Sequence, residues 1–187
     1  MHLLRTLLTT TLALLLAPPS TASPITTNPS IPAAPALEYL YTALVDCTPR
    51  IFTDQTPAGL RTAIPIVGGN FTGPRLRGRI LDLGADWGTT DPATGIFSAD
   101  TRYNLQTDDG ANIYIRTSGP KQADGTLHLR LVFETGVREY YWLNNVVAVG
   151  ILKRVAEYED GSYTLQIDAW NLAGEWSSTN FVNGTIS

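Results

Sequence analysis

The chain has 187 residues and a formal net charge of −4, with 13 Lys and Arg against 17 Asp and Glu. This acidic balance argues against nucleic acid or an anionic membrane as a partner, because both attract basic surfaces. Cys47 is the only cysteine, so an internal disulfide is excluded. Without a histidine near it in sequence, Cys47 is expected to be a small buried side chain rather than a nucleophile.

The N-terminal residues have the pattern of a secretory signal peptide. Arg5 precedes an apolar run from Leu7 to Ala17, and small residues follow two prolines. A membrane span needs about 20 apolar residues, so this run is too short for one. We predict cleavage after Ala22, which removes residues 1–22 and directs the mature chain to the secretory lumen or out of the cell. An uncleaved N-terminal anchor is the alternative.

Two further regions follow the predicted signal peptide. Residues 23–36 are rich in proline, threonine and alanine and lack periodicity, which predicts an extended leader. The folded domain is predicted to span residues 37–187. It contains two candidate N-glycosylation sites, at Asn70 and Asn183.

Short β-type runs make up most of the predicted domain, separated by Gly, Asp and Pro. The runs are Leu37–Val45, Arg77–Leu83, Thr101–Thr107, Ala111–Thr117, Leu127–Glu134, Val146–Arg154 and Tyr163–Trp170. The pairs Asp109-Gly110, Asp124-Gly125 and Asp160-Gly161 are typical of tight hairpin turns. Gly68-Gly69 is interpreted as backbone in a bend where chain segments approach closely.

This pattern is typical of a β-sandwich or a β-barrel. Full closure removes the exposed edge strands, so we predict an all-β fold with a single closed antiparallel β-barrel of about eight strands. No segment has a sustained helical period, and any helix is expected to be a single turn.

Alternation within the strands separates an apolar face from a polar one. In the runs Ala111–Thr117 and Leu127–Glu134, the apolar face carries isoleucines, leucines and Phe133. The polar face carries Asn112, Tyr114, Arg116, His128 and Arg130. Alternation alone favours an ordinary solvent-facing surface for these polar residues.

Most catalytic signatures are absent from the sequence. His128 is the only histidine beyond the predicted signal peptide, which excludes a multi-histidine metal site. No nucleophile elbow, Walker loop or dinucleotide fingerprint occurs, so neither a metal nor an organic cofactor is expected. Asp86 with Asp100 or Glu134 is a possible acidic pair for glycoside hydrolysis, although the sequence does not give their separation.

Several unusual segments occur together in the sequence between residues 37 and 170. They are Ile64–Pro74, Gly84–Trp87, Tyr103, Thr107–Gly110, Tyr114, Phe133–Thr135 and Trp142–Asn144. This combination resembles the small β-barrel family catalogued as domain of unknown function 3237. The resemblance implies a closed barrel similar to that of allene oxide cyclase, with one ligand-sized cavity. The signal peptide and the leader depart from the usual family pattern.

The resemblance also implies a set of site residues that converge on the cavity. They are Asp86, Trp87, Tyr103, Tyr114, Glu134, Trp142 and Asn144. Arg116 or Arg130, with Tyr103 or Tyr114, is expected to donate hydrogen bonds to a substrate carbonyl. Asp86 or Glu134 is the expected proton donor. Trp87, Phe133 and Trp142 are expected to stack on the substrate, and Asn144 to help bind it.

Some secreted fungal members of this family look like cofactor-free cyclases in natural-product pathways, including hetero-Diels–Alder catalysts. The resemblance therefore implies a cyclase or pericyclase that binds a reactive apolar natural-product intermediate. A secreted carrier of a small apolar ligand is the second hypothesis. A structural or host-interaction protein with a filled barrel is the third. A small apolar metabolite is the expected partner, and a homodimer is left open.

Overall fold

The computed structural model of the protein describes residues 32–173. The predicted signal peptide, residues 23–31 of the predicted leader and the sequon at Asn183 lie outside this range. Residues 32–36 have no regular secondary structure and are exposed.

Ten strands and one 3₁₀ helix make up the described structure. The strands are β1 (Leu37–Cys47), β2 (Phe52–Thr56), β3 (Gly59–Thr72), β4 (Arg77–Asp86), β5 (Thr89–Thr90), β6 (Phe97–Thr107), β7 (Asn112–Pro120), β8 (Leu127–Glu134), β9 (Ala148–Glu157) and β10 (Tyr163–Leu172). The 3₁₀ helix spans Arg138–Asn145, between β8 and β9.

Eight of these strands form a closed antiparallel ring. The sheet order runs β1-β10-β9-β8-β7-β6-β4-β3, and β3 pairs again with β1. Strand β2 pairs with β3 outside the ring, and β5 bridges β3 and β6. The predicted all-β antiparallel fold with about eight strands is therefore confirmed. Closure leaves no ring strand with a free hydrogen-bonding edge.

The sequence identified most of the ring correctly. Each predicted run overlaps a strand, and each of the three Asp-Gly pairs joins two antiparallel neighbours. The tip glycines Gly110, Gly125 and Gly161 have φ values of 92°, 90° and 80°, which a side chain would strain. Two expectations were wrong. No strand was predicted at β3, and the helix has eight residues rather than a single turn.

Strand β3 escaped prediction because it contains Pro65 and the pair Gly68-Gly69, which weaken a strand pattern. The close approach expected at the glycines is confirmed at the seam between β1 and β3. A Cβ on Gly69 would lie 2.0 Å from the carbonyl oxygen of Leu44. The pair lies inside the 14-residue strand β3.

One end of the ring is filled by large side chains. Tyr41 packs edge-on against Phe71 and Phe133, with ring centroids 5.9 and 6.1 Å away. From the 3₁₀ helix, Trp142 and Leu143 are buried at the same end, since the helix follows the last residue of β8. The other end of the ring stays open.

Membrane-spanning helices and clustered metal ligands are both absent from the described residues. No helix within residues 32–173 is long and apolar enough to cross a membrane. No group of three or more His, Cys, Asp and Glu in that range is arranged to hold a metal ion.

Candidate active site

A cavity of about 700 Å³ lies at the open end of the ring. At this end β1 and β4 finish with Cys47 and Asp86, and β8 and β10 begin with Leu127 and Tyr163. The lining residues are Pro49, Arg50, Thr53, Leu60, Thr62, Ile64, Asp86, Thr90, Phe97, Lys121, Gly125, Leu127, Leu152, Arg154, Gly161, Tyr163 and Leu165. This volume falls in the range of small-molecule binding sites.

Asp86 is the one carboxylic acid among the described residues that line this cavity. Its Oδ1 accepts a 2.9 Å hydrogen bond from the backbone N–H of Asp100, and the Thr101 hydroxyl also donates to the carboxylate. Burial nevertheless dominates and raises the pKa of Asp86 from 3.8 to about 6. A carboxyl with this pKa exchanges a proton readily near neutral pH, which suits a general acid or base.

Tyr163 and Arg154 form the wall on the β9–β10 side. The guanidinium carbon of Arg154 lies 3.8 Å from the centroid of the Tyr163 ring, a cation–π contact. Arg154 also donates a 3.2 Å hydrogen bond to the carboxylate of Glu157. Burial, followed by the nearby Cys47, raises the pKa of Tyr163 to about 12, so its hydroxyl remains protonated.

Cys47 ends β1 inside the ring, with only 2% of its surface exposed. Burial, with the Asp86 and Asp46 carboxylates as lesser causes, raises its pKa to about 12. The group is therefore a neutral thiol at physiological pH, which is a poor nucleophile. The expectation of a small buried side chain is confirmed.

Tyr103 points into the ring and is 1% exposed. Neither its hydroxyl nor that of Tyr41 has a hydrogen-bond partner among residues 32–173. Burial raises both pKa values, so both hydroxyls are neutral donors. Tyr103 is inward-facing, as expected for a site residue, but it does not line the cavity described above.

Four of the expected catalytic residues lie on the outside of the ring. Tyr114 and Arg116 alternate with the buried Ile113 and Ile115, and Arg130 and Glu134 alternate with buried residues of β8. Because successive side chains of a strand point to opposite faces, these four point away from the cavity. The prediction that these four side chains contribute to the cavity is therefore wrong. Alternation alone had predicted that Tyr114, Arg116 and Arg130 face the solvent, and this is correct.

The expected stacking residues are also separated from the cavity. Trp87 is 38% exposed and does not line it. Phe133 lies six residues along β8 from Leu127, about 20 Å away at strand spacing. Trp142 is buried at the closed end beneath the guanidinium of Arg75, 3.8 Å from its ring centroid.

Asn144 and Asn70 do not line the cavity. The Asn144 side chain accepts a hydrogen bond from the Thr135 N–H and donates one to the Thr135 carbonyl, both 2.9 Å long. It therefore holds the loop after β8 in place. Asn70 of the first sequon lies on β3 with an exposed side chain, and its glycosylation stays a prediction.

Arg154, Tyr163 and the leucines that line the cavity were not predicted as site residues. Leu127, Leu152 and Leu165 belong to predicted strands, so their inward direction was within reach of the alternation argument. Arg154 follows Leu152 by two residues on β9, before the irregularity between the partners of Thr164 and Leu165, so the same alternation directs it inward.

Comparison with known proteins agrees with this architecture. Residues 35–131 match a family described as protein of unknown function (DUF3237). The chain is 33% identical over 126 residues to the hydroalkoxylation enzyme phnH of Penicillium herquei, covering 67% of this chain and 80% of the relative. It is 28% identical over 137 residues to a UPF0311 protein of Bradyrhizobium diazoefficiens, covering 64% of this chain and 89% of the relative.

Solved structures give the same result. A beta-barrel like protein from Acinetobacter baumannii AYE matches with a TM-score of 0.65 at 35% identity, covering 76% of this chain and 99% of that one. An enzyme from Penicillium herquei matches with a TM-score of 0.61 at 30% identity, covering 77% and 98%. The protein is thus similar to at least one enzyme. Its chain belongs to the DUF3237 family.

Proposed function

We propose that the protein is a cofactor-independent cyclase that adds a hydroxyl group of its substrate across a C=C bond of the same molecule. The observation that carries this proposal is Asp86, a carboxyl whose pKa is raised to about 6 on the wall of a 700 Å³ cavity. The similarity to a hydroalkoxylation enzyme supports the reaction class.

The reaction is an isomerisation, so one acid–base group is enough. Protonated Asp86 gives its proton to one alkene carbon, and the hydroxyl oxygen bonds to the other. The hydroxyl proton then returns to the Asp86 carboxylate. One C–H and one C–O bond form, the O–H bond and the π bond break, and nothing is oxidised or reduced.

The cavity walls supply the second contribution. The lining that Asp86 shares includes four apolar side chains, Ile64, Leu127, Leu152 and Leu165. Such walls exclude water and hold a folded substrate with its hydroxyl beside the alkene, which removes part of the entropic barrier. The signal peptide predicted at residues 1–22 leads us to propose that the substrate is met in the secretory lumen or outside the cell.

A simple substrate that contains both reacting groups tests the proposal. We suggest 2-(3-methylbut-2-enyl)phenol in D₂O, with the cyclic ether detected by mass spectrometry. The wild-type protein should accelerate formation of an ether with one carbon-bound deuterium. Asp86→Asn should lower the rate about 10²–10⁴-fold, the usual contribution of a general acid. Asp82→Asn is the matched control, since Asp82 is exposed on the same strand.

Three results would contradict the proposal in different ways. Equal rates for wild type and Asp86→Asn would remove the acid role and favour a pericyclic reaction, such as hetero-Diels–Alder addition, which needs only alignment. Tight binding of the phenol without turnover would favour a carrier. An ether without carbon-bound deuterium would exclude proton transfer from an exchangeable group.

A further inference from the structure

Three cationic side chains line the cavity of an otherwise acidic protein. The lining includes the three cationic side chains Arg50, Lys121 and Arg154 but only one carboxyl, Asp86, among the residues described. The whole chain has a net charge of −4. Cations gathered at one opening of such a chain create a local field that attracts anions.

Nearby acidic side chains do not neutralise two of these cations. In residues 32–173, neither Arg50 nor Lys121 forms an ion pair, whereas Arg154 is bonded to Glu157. The carboxylates of the neighbouring turns are engaged locally. Asp124 accepts bonds from the N–H and hydroxyl of Thr126, and Asp160 does the same with Ser162.

The charged and apolar parts of the lining come from different parts of the fold. Arg50 and Lys121 lie just beyond the ends of β1 and β7, in the connections at the open end of the ring. Leu127, Leu152 and Leu165 belong to ring strands and form apolar wall. A ligand complementary to both parts has an apolar body and an anionic group at one end.

We propose that the substrate is an apolar ring compound that carries an anionic oxygen, as a phenolate or a carboxylate. The apolar part of the substrate enters between the leucines of the cavity wall toward Asp86. Its anionic oxygen stays at the mouth of the cavity beside Arg50 and Lys121. This inference names the substrate class of the proposed cyclase and rests on that proposed function. It requires no contact with Asp86 for binding.

Two probes of equal ring size separate charge from apolar contact. We suggest 2-naphthoate and 2-naphthalenemethanol, with dissociation constants measured by isothermal titration calorimetry at pH 7.5 and low salt. The wild-type protein should bind the naphthoate about tenfold more tightly, since solvent-exposed charge pairs contribute modestly to binding. The preference should shrink at 0.5 M NaCl, where screening is strong.

The double variant Arg50→Gln/Lys121→Gln should lose this preference and retain its affinity for the alcohol. Arg77→Gln/Arg138→Gln is the matched control. It removes the same total charge from residues at the start of β4 and of the helix, at the closed end, and should retain the preference.

Equal affinity for both probes would overturn the inference. So would a preference that survives in the double variant, or no binding of either probe. Asp86→Asn separates this inference from the proposed function, because it should strongly lower the rate of turnover and still bind naphthoate. Turnover that depends on Asp86, without any preference for the anionic probe, would contradict the proposed substrate class and leave the cyclase proposal intact. A preference for the anionic probe without turnover would contradict the proposed cyclase function and leave the anion site intact.

Discussion

The backbone N–H of Asp100 donates a 2.9 Å hydrogen bond to the Asp86 carboxylate at the open end of the ring. This bond favours the ionised form of Asp86, yet burial outweighs it, and the pKa is raised to about 6. The carboxyl is thus held in a fixed direction by a donor while its proton affinity remains high. Both properties suit a group that delivers a proton to one carbon of a bound substrate.

The rate of cyclisation should follow the titration of Asp86. Since the protonated form is the acid, kcat/KM should be highest below pH 6 and fall about tenfold for each pH unit above it. A pH–rate profile from pH 4.5 to 8.5 with the prenylated phenol measures this. Asp86→Glu should retain a pH-dependent rate. A profile that is flat across this range would contradict the assignment of Asp86 as the acid.

Asp86 should also make stability depend on pH. Between its ordinary pKa of 3.8 and about 6, the folded chain holds a proton that the unfolded chain releases. Folding is therefore favoured as the pH falls through this window, and the ionised form of this half-buried carboxyl costs stability above it. Asp86→Asn should raise Tm at pH 7.5 and have little effect at pH 3.5. The exposed Asp82→Asn serves as control, and an Asp86→Asn effect of equal size at both pH values would refute this reasoning.

Substitutions on the outer face of β7 and β8 should leave the chemistry intact. Arg116→Ala, Tyr114→Phe and Glu134→Gln remove groups that point away from the cavity. We expect wild-type rates from all three in the phenol assay, beside Asp86→Asn as the impaired reference. Loss of activity in any of them, with Tm unchanged, would show that the outer face takes part in catalysis.

The Cys47 thiol should not react with thiol reagents in the folded protein. Its pKa of about 12 and its 2% exposure keep it protonated and inaccessible. With 5,5′-dithiobis(2-nitrobenzoate) at pH 8, the native protein should show almost no reaction. In 6 M guanidinium chloride one thiol per chain should react, which controls for prior oxidation. Rapid native reaction would mean that the ring opens readily at the end of β1.

Gly69→Ala should weaken the seam that closes the ring. Gly69 has φ +126°, and a Cβ there would meet the Leu44 carbonyl oxygen at 2.0 Å. We expect a loss of roughly 2–4 kcal/mol in the free energy of unfolding, measured in urea. Gly136→Ala is the control because nothing lies within 4 Å of its Cβ position. Similar stability for both variants would argue against a tight β1–β3 contact.

Local pattern was enough for seven of the eight ring strands, for three hairpins and for the two faces of β7 and β8. The alternation in β8 separated Leu127 from Arg130, and each Asp-Gly pair marked a turn, because period-two burial and positive φ are properties of adjacent residues. The unusual segments between residues 37 and 170 were sufficient to indicate the family. The functional residues inferred from them were less accurate, since a motif does not give the direction of its side chains.

Only the tertiary structure decided which residues share the cavity. Asp86 and Tyr163 are distant in sequence, and both line the cavity because β1 pairs with both β10 and β3 while β4 ends at the same rim. Ring closure depends on pairing between strands that are far apart in sequence. The pairing of β9 with β10 also contains an irregularity opposite Thr164 and Leu165. The pKa of Asp86 follows from the burial that this closure creates, so no local segment of the chain encodes it.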